Sequence, residues 1–66
     1  MVNPLQNREI IIEYIPVGTL VKVSAMDAKT LIEVSIQGPS STPETILKRN
    51  ALKRLEYVLR KKEIID

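Results

Sequence analysis

The side chains of this sequence that could do acid–base chemistry are carboxylates, because His and Cys are both absent. Paired carboxylates can share acid and base roles in a desolvated pocket. Without His or Cys, the chain lacks the usual general base and the commonest metal ligands, and neither Ser40 nor Ser41 has a His to activate it. We therefore predict no catalytic site, no metal, no cofactor and no enzymatic activity. The carboxylates are Glu9, Glu13, Asp27, Glu33, Glu44, Glu56, Glu63 and Asp66.

One pair of carboxylates, Glu13 and Glu33, is predicted to lie on the same face of a sheet. Lys22 falls opposite Glu13 in the strand pairing proposed below. A cross-strand ion pair between Lys22 and Glu13 is a simpler interpretation than a catalytic pair of acids.

Three short runs in which apolar and polar residues alternate would hold these side chains. The runs cover residues 9–15, 20–26 and 31–37. A period of two with many β-branched residues predicts half-buried strands. The predicted inward-facing residues are Ile10, Ile12, Tyr14, Val21, Val23, Ala25, Ile32, Val34 and Ile36.

The two connections between these runs are short enough for hairpins. Residues 16–19 contain a Pro followed by a Gly, which is typical of a tight turn, and residues 27–30 join the second and third runs. Both hairpins keep the inward-facing residues on one face, which predicts the sheet order 1-2-3. The predicted closing pairs are Ile15 with Leu20 and Met26 with Leu31.

The last part of the chain predicts one helix from about residue 42 to residue 62. Thr42 is the expected N-cap with Pro43 in the first turn, and Ser41 with Glu44 is the alternative as a capping box. An apolar stripe at helical spacing should face the sheet. The stripe consists of Leu47, Ala51, Leu52, Leu55, Val58 and Leu59.

These elements predict an α+β fold, with a three-stranded antiparallel meander and one C-terminal helix packed on one face. Residues 1–66 form a single domain, with a flexible start at 1–7 and a frayed end at 63–66. A domain this small buries only about 60% of its unfolded surface, so support from another chain is expected. No apolar run could span a membrane and no signal peptide is recognisable, so we expect a cytoplasmic protein.

The sheet face away from the helix, called the open face below, is the first candidate interaction surface. Five large apolar residues there would contribute about 7–15 kcal/mol if fully buried, at ~1.5–3 kcal/mol each. That is comparable to the whole stability of a small domain, about 5–15 kcal/mol. We therefore predict a homo-oligomer or docking on a larger protein, through this face or the first strand's edge at residues 10–12. The five residues are Ile11, Ile15, Leu20, Met26 and Leu31.

The outer side of the helix, called the basic back below, is the alternative surface. Residues 40–66 hold seven of the ten basic residues, and basic residues around an aromatic ring can hold phosphates and stack a base. The alternative function is weak nucleic-acid binding, whereas a solvated helix face is the simpler interpretation. The residues are Arg49, Lys53, Arg54, Tyr57, Arg60 and Lys61.

Three segments resemble a family of short uncharacterised bacterial proteins with a β-β-β-α layout. They read Glu-Tyr-Ile-Pro-Val-Gly-Thr-Leu-Val-Lys-Val-Ser-Ala-Met-Asp, Gln-Gly-Pro-Ser-Ser-Thr-Pro and Ala-Leu-Lys-Arg-Leu-Glu-Tyr-Val-Leu-Arg-Lys-Lys. The resemblance implies the fold and a bacterial cytoplasmic setting, but no activity. The second hairpin of that family often reads Asp-Pro-x-Thr-Gly, and here Leu31 stands at the Gly position, which disfavours a bulge with positive φ.

The same element order is also similar to the second part of double-stranded-RNA-binding domains. The preceding helix of those domains is missing, and residues 39–43 do not supply their Lys-rich helix start. This similarity implies a shared topology only.

Overall fold

The chain folds into three strands followed by one helix, as the sequence predicts. The structure is a computed structural model that describes residues 5–65. The strands pair antiparallel in the order β1-β2-β3, and the helix packs on β2 and β3. The predicted α+β meander with one C-terminal helix is therefore confirmed. The elements are β1 (Ile10–Val17), β2 (Leu20–Asp27), β3 (Glu33–Pro39) and α1 (Glu44–Lys61).

The first hairpin is tighter than predicted. Val17 pairs with Leu20, so only Gly18 and Thr19 form the loop. Gly18 has a φ of +61°, which suits the first central position of a type II′ turn. The predicted pairing of Ile15 with Leu20 is wrong by two residues, because the two-residue turn lets both strands extend further.

The second hairpin is wider than predicted. Met26 pairs with Glu33 rather than with Leu31. Asp27 N–H donates to the Ile32 carbonyl at 2.9 Å, and Leu31 N–H donates to the Asp27 carbonyl at 2.7 Å. Leu31 adopts a φ of +63°, so this position keeps the left-handed conformation although it is Leu rather than Gly. The wider loop moves the register by two residues, takes Leu31 out of the predicted strand, and leaves the side chains of residues 33–36 on their predicted faces.

The core lies between α1 and the two strands beneath it. Leu47, Ala51, Leu55 and Leu59 of the predicted stripe are buried against Val23 and Ala25 of β2. Close approach is possible because Gly38 has no side chain: a Cβ there would lie 2.6 Å from Leu47 Cδ2. The start of α1 therefore lies close over β3, and α1 makes little contact with β1.

The helix cap lies one residue later than predicted. Pro43 is the N-cap residue, with no side-chain capping bond, and its carbonyl accepts from Ile46 and Leu47 N–H. Thr42 is therefore not the cap, and its N–H donates to the Pro39 carbonyl in the preceding turn. The alternative capping box of Ser41 with Glu44 is not formed either.

Both ends of the described chain are tied to the domain. After α1, Ile64 N–H donates to the Leu59 carbonyl and Glu63 N–H to the Arg60 carbonyl, which is a Schellman motif with Glu63 at a φ of +61°. Ile64 and Ile65 pack against the core within the end predicted to fray. In the predicted flexible start, Leu5 also packs against the core. Residues 1–4 and 66 lie outside the described residues.

Candidate functional site

The open face carries exposed apolar side chains at both of its ends. Ile15 and Leu20 lie near the first hairpin, and Ile11 and Met26 lie near the second, with the polar pair of Glu13 and Ser24 between them. Ile11, Ile15 and Leu20 are 40–42% exposed, and Met26 is half-buried. Leu31 is 69% exposed, but it lies in the turn before β3 rather than in a strand. Val17, which the sequence analysis assigned to a turn, pairs with Leu20 on this face and is 59% exposed.

The predicted ion pair across the open face is not formed. Ser24 lies opposite Glu13, and Lys22 lies opposite Ile15, because the register differs by two residues. Glu33 is on the far side of β2 and two residues further along, which separates it from Glu13 by roughly 12 Å. The two carboxylates therefore cannot act as a catalytic pair.

The basic back is divided between two sides of α1. Arg49 and Lys53 line a groove beside β1. Arg54, Tyr57 and Lys61 lie on another side of the helix, as the 100° turn per residue requires, and the Lys61 Nζ atom is 5.8 Å from the centre of the Tyr57 ring. The remaining member, Arg60, donates to Glu56 at 3.4 Å, an exposed i,i+4 pair.

The groove between β1 and α1, called the β1–α1 groove below, is a feature that the sequence analysis missed. It has a volume of about 560 Å³ and exists because α1 lies over β2 and β3 and leaves the inward side of β1 uncovered. Its floor is aliphatic and its rim is mainly basic. The lining consists of Leu5, Arg8, Ile10, Ile12, Thr45, Lys48, Arg49, Leu52, Lys53 and Glu56.

At one end of this groove, Arg8 is held by a buried carboxylate. Arg8 Nη1 donates to Asp27 Oδ2 at 3.3 Å, and Thr30 Oγ1 donates to the same oxygen at 2.7 Å. Asp27 is fully buried, and its other oxygen, Oδ1, has no hydrogen-bond partner among the described residues. Thr30 Oγ1 also accepts from Ile32 N–H at 3.3 Å. The cluster thus joins the start of the chain to the second hairpin.

The signal for this cluster was present in the sequence. Asp followed three residues later by Thr, between two strands, is typical of a turn in which the Asp side chain accepts local hydrogen bonds. The participation of Arg8 has no such local signal, because it is 19 residues from Asp27.

Other kinds of site find no support in the described part of the chain. Residues 5–65 contain no group of three or more metal-ligating His, Cys, Asp or Glu side chains. Within the same residues, no helix is long and apolar enough to cross a membrane.

Comparisons with known proteins identify a family and no further relative. No curated protein and no solved structure matches this chain. One family model matches residues 7–62, which includes all three strands and the helix. The match covers most of the 66 residues. The chain therefore belongs to the DUF6898 family, a domain of unknown function.

Proposed function

We propose that this chain is a non-catalytic interaction module that forms a homodimer through its open face. The observation that carries the proposal is the exposed apolar cluster of Ile15, Val17 and Leu20 beside the first hairpin, each at least 41% exposed. While these side chains stay exposed, the domain forgoes hydrophobic stabilisation, which a domain this small needs. Burial against a second copy would recover part of it.

The charges of the open face support a second copy as the occupant. Lys22 lies on this face with Glu13 and Glu33, so the face carries both signs of charge. A two-fold axis through the face would bring Lys22 of one copy toward a carboxylate of the other. The same surface is thus complementary to itself.

The size of the open face implies a weak dimer. Three strands of seven or eight residues present a face of roughly 25 by 14 Å, about 350 Å². A standard interface buries about 800 Å² on each partner. Association should therefore be reversible and should depend on protein concentration.

The test uses two matched substitutions. Ile15→Lys places a charge on the open face, and Ile46→Lys makes the same change on the helix at a residue of similar exposure, 38% against 41%. Sedimentation equilibrium should show a dimer for the parent and for Ile46→Lys and a monomer for Ile15→Lys. A monomeric parent at millimolar concentration, or a dimer that survives Ile15→Lys, would overturn the proposal.

A dimer could also form by pairing of two β1 edges, and the oligomeric states of substituted chains distinguish this arrangement from open-face association. Ala28 N–H donates to the Glu9 carbonyl, whereas Asp27 N–H points to β3. Because backbone groups alternate in direction along a strand, those of Ile10, Ile12 and Tyr14 point to the free edge of β1. Pro16 removes one donor from that edge. A dimer insensitive to Ile15→Lys but lost with Ile12→Pro would identify edge pairing instead.

Weak nucleic-acid binding is the second candidate, favoured by the exposed neighbours Arg54, Tyr57 and Lys61 on one side of α1. Binding through the two phosphate contacts that Arg54 and Lys61 offer should weaken roughly 12-fold between 50 and 200 mM salt. Arg54→Glu with Lys61→Glu should abolish it. The absence of binding to single- or double-stranded DNA or RNA at low salt would rule this candidate out.

A further inference from the structure

The β1–α1 groove has the lining of a binding site for an amphipathic ligand. Its floor is formed by four aliphatic residues, Leu5, Ile10, Ile12 and Leu52. All four are only partly buried and pack against the core, so they have apolar surface left for a ligand to cover. A concave apolar surface with a few polar groups around it is the usual form of a binding site.

The rim of the groove has a strong charge bias. Arg8, Lys48, Arg49 and Lys53 face one acid, Glu56, along the lining. Glu56 already accepts from Arg60 at 3.4 Å. Arg8 is likewise paired, with Asp27, so the excess of three positive charges comes from Lys48, Arg49 and Lys53. The net charge of the whole chain is only +2. The groove therefore favours an anionic ligand.

Arg8 has N–H donors with which it could bind a ligand carboxylate. Among the described residues its guanidinium donates one hydrogen bond, to the buried Asp27, and a guanidinium has five N–H groups. Asp27 holds the side chain in place and leaves donors for a second, ligand carboxylate. Arginine also binds carboxylates in a two-pronged geometry that lysine cannot offer.

The spread of the cations indicates the length of the ligand. The lining residues of α1 run from Thr45 to Glu56, which is about 16 Å of helix at ~1.5 Å per residue. A small molecule with one acidic group could engage only one or two of the cations. A peptide of about five extended residues, or three turns of helix, could place several carboxylates along this rim.

We propose that the β1–α1 groove binds an acidic amphipathic segment of a partner protein. Aliphatic side chains of the segment lie on the floor, and its Asp and Glu side chains contact the basic rim. Nucleic acid fits less well, because none of the described residues that line the groove is aromatic and able to stack a base. The site is separate from the open face, so it does not depend on dimer formation.

An unbiased peptide selection tests the proposal. Random 12-residue peptides displayed on phage are selected against the intact chain, and enriched peptides are synthesised and measured by fluorescence polarisation at 50 mM salt. Enriched peptides should combine Asp or Glu with Leu, Ile or Val, and their affinity should fall as salt rises. No enrichment, or enrichment of neutral or basic peptides, overturns the proposal.

Two charge-matched variants locate the binding. Arg49→Glu with Lys53→Glu should lower the affinity about tenfold or more, because it reverses charge at the rim. Arg54→Glu with Lys61→Glu makes the same change in charge on another side of α1 and should leave the affinity within about twofold. Equal loss in both variants would mean a non-specific charge effect and would overturn the site.

Two further measurements separate this site from its competitors. Leu52→Gln, with its fold checked by circular dichroism, should weaken peptide binding through the floor, whereas Ile15→Lys on the open face should not change it. Oleate and phosphatidylglycerol vesicles are the lipid probes. One outcome would assign the groove to lipid and overturn the proposal: the chain binds either lipid, Arg49→Glu with Lys53→Glu abolishes that binding, and no peptide binds.

Discussion

At the scale of single residues, three non-glycine residues within residues 5–65 adopt positive φ. They are Asn7, Leu31 and Glu63, and each completes a turn or a helix end. A residue with a Cβ is strained in this conformation by roughly 1–2 kcal/mol. At Leu31, burial of the side chain does not offset this strain, because the side chain is 69% exposed.

Leu31→Gly should therefore raise the free energy of unfolding by about 0.5–1 kcal/mol. The gain is the strain removed, less roughly 0.5–1 kcal/mol for the greater freedom of an unfolded Gly. Urea denaturation measures the difference. Lys29→Gly, in the same turn but without positive φ, is the control and should not stabilise the domain; a loss of stability in Leu31→Gly would contradict the account of strain.

The buried carboxylate of Asp27 belongs to the same scale. Asp27→Ala should cost about 2–4 kcal/mol, because Thr30 and Arg8 lose their acceptor inside the protein. Asp27→Asn should cost less, since it keeps an oxygen that can accept from Thr30. Thermal and urea unfolding of the two variants test the order, and an Asp27→Ala variant as stable as the parent would show that the cluster contributes nothing.

At the scale of elements, the apolar stripe of α1 supplies most of the buried hydrophobic residues of the core. Leu55 is fully buried at its centre, and Leu55→Ala should cost about 2–5 kcal/mol, which could unfold so small a domain. Ile46→Ala, at an exposed position of the same helix, should cost much less. The comparison is made by circular dichroism during urea titration; similar losses for both would mean that the stripe does not face the core.

The faces of the strands were predictable from sequence, but their registers were not. A period-two pattern assigns each residue to a face, and a shift of two residues changes no assignment. The pattern was therefore equally compatible with Ile15 opposite Leu20 and with Ile15 opposite Lys22, the observed pair. Only the turn geometry at Gly18 distinguishes these two pairings, and the turn at Leu31 plays the same part for the second hairpin.

The β1–α1 groove could not be predicted for a different reason. It depends on where α1 lies across the sheet, and the contact of Leu47 over Gly38 draws the helix start toward β3. The sequence shows a glycine near the end of a strand, but it does not show which helix residue approaches it. Arg49 and Lys53 are exposed on the helix, but their neighbours in the groove come from β1 and the segment before it.

At the scale of the whole molecule, dimer formation should be visible in thermal stability. Association stabilises the folded state by mass action, so the melting temperature of the parent should rise between about 10 μM and 1 mM protein. Ile15→Lys should remove this dependence, and Ile46→Lys should keep it. A melting temperature independent of concentration in the parent would argue against self-association.

The uneven cover of the sheet by α1 also has a consequence for local opening. No residue of β1 is fully buried, whereas β2 and α1 supply the core. Elements with few buried contacts open at lower free energy than the global unfolding. We therefore expect native-state hydrogen exchange to show β1 detaching first, with the β2 amides that pair with it exchanging before those of Leu55 and Leu59. In such an opened form, the edge of β2 that normally pairs with β1 would be unpaired. It could then accept β1 from another copy by domain swapping.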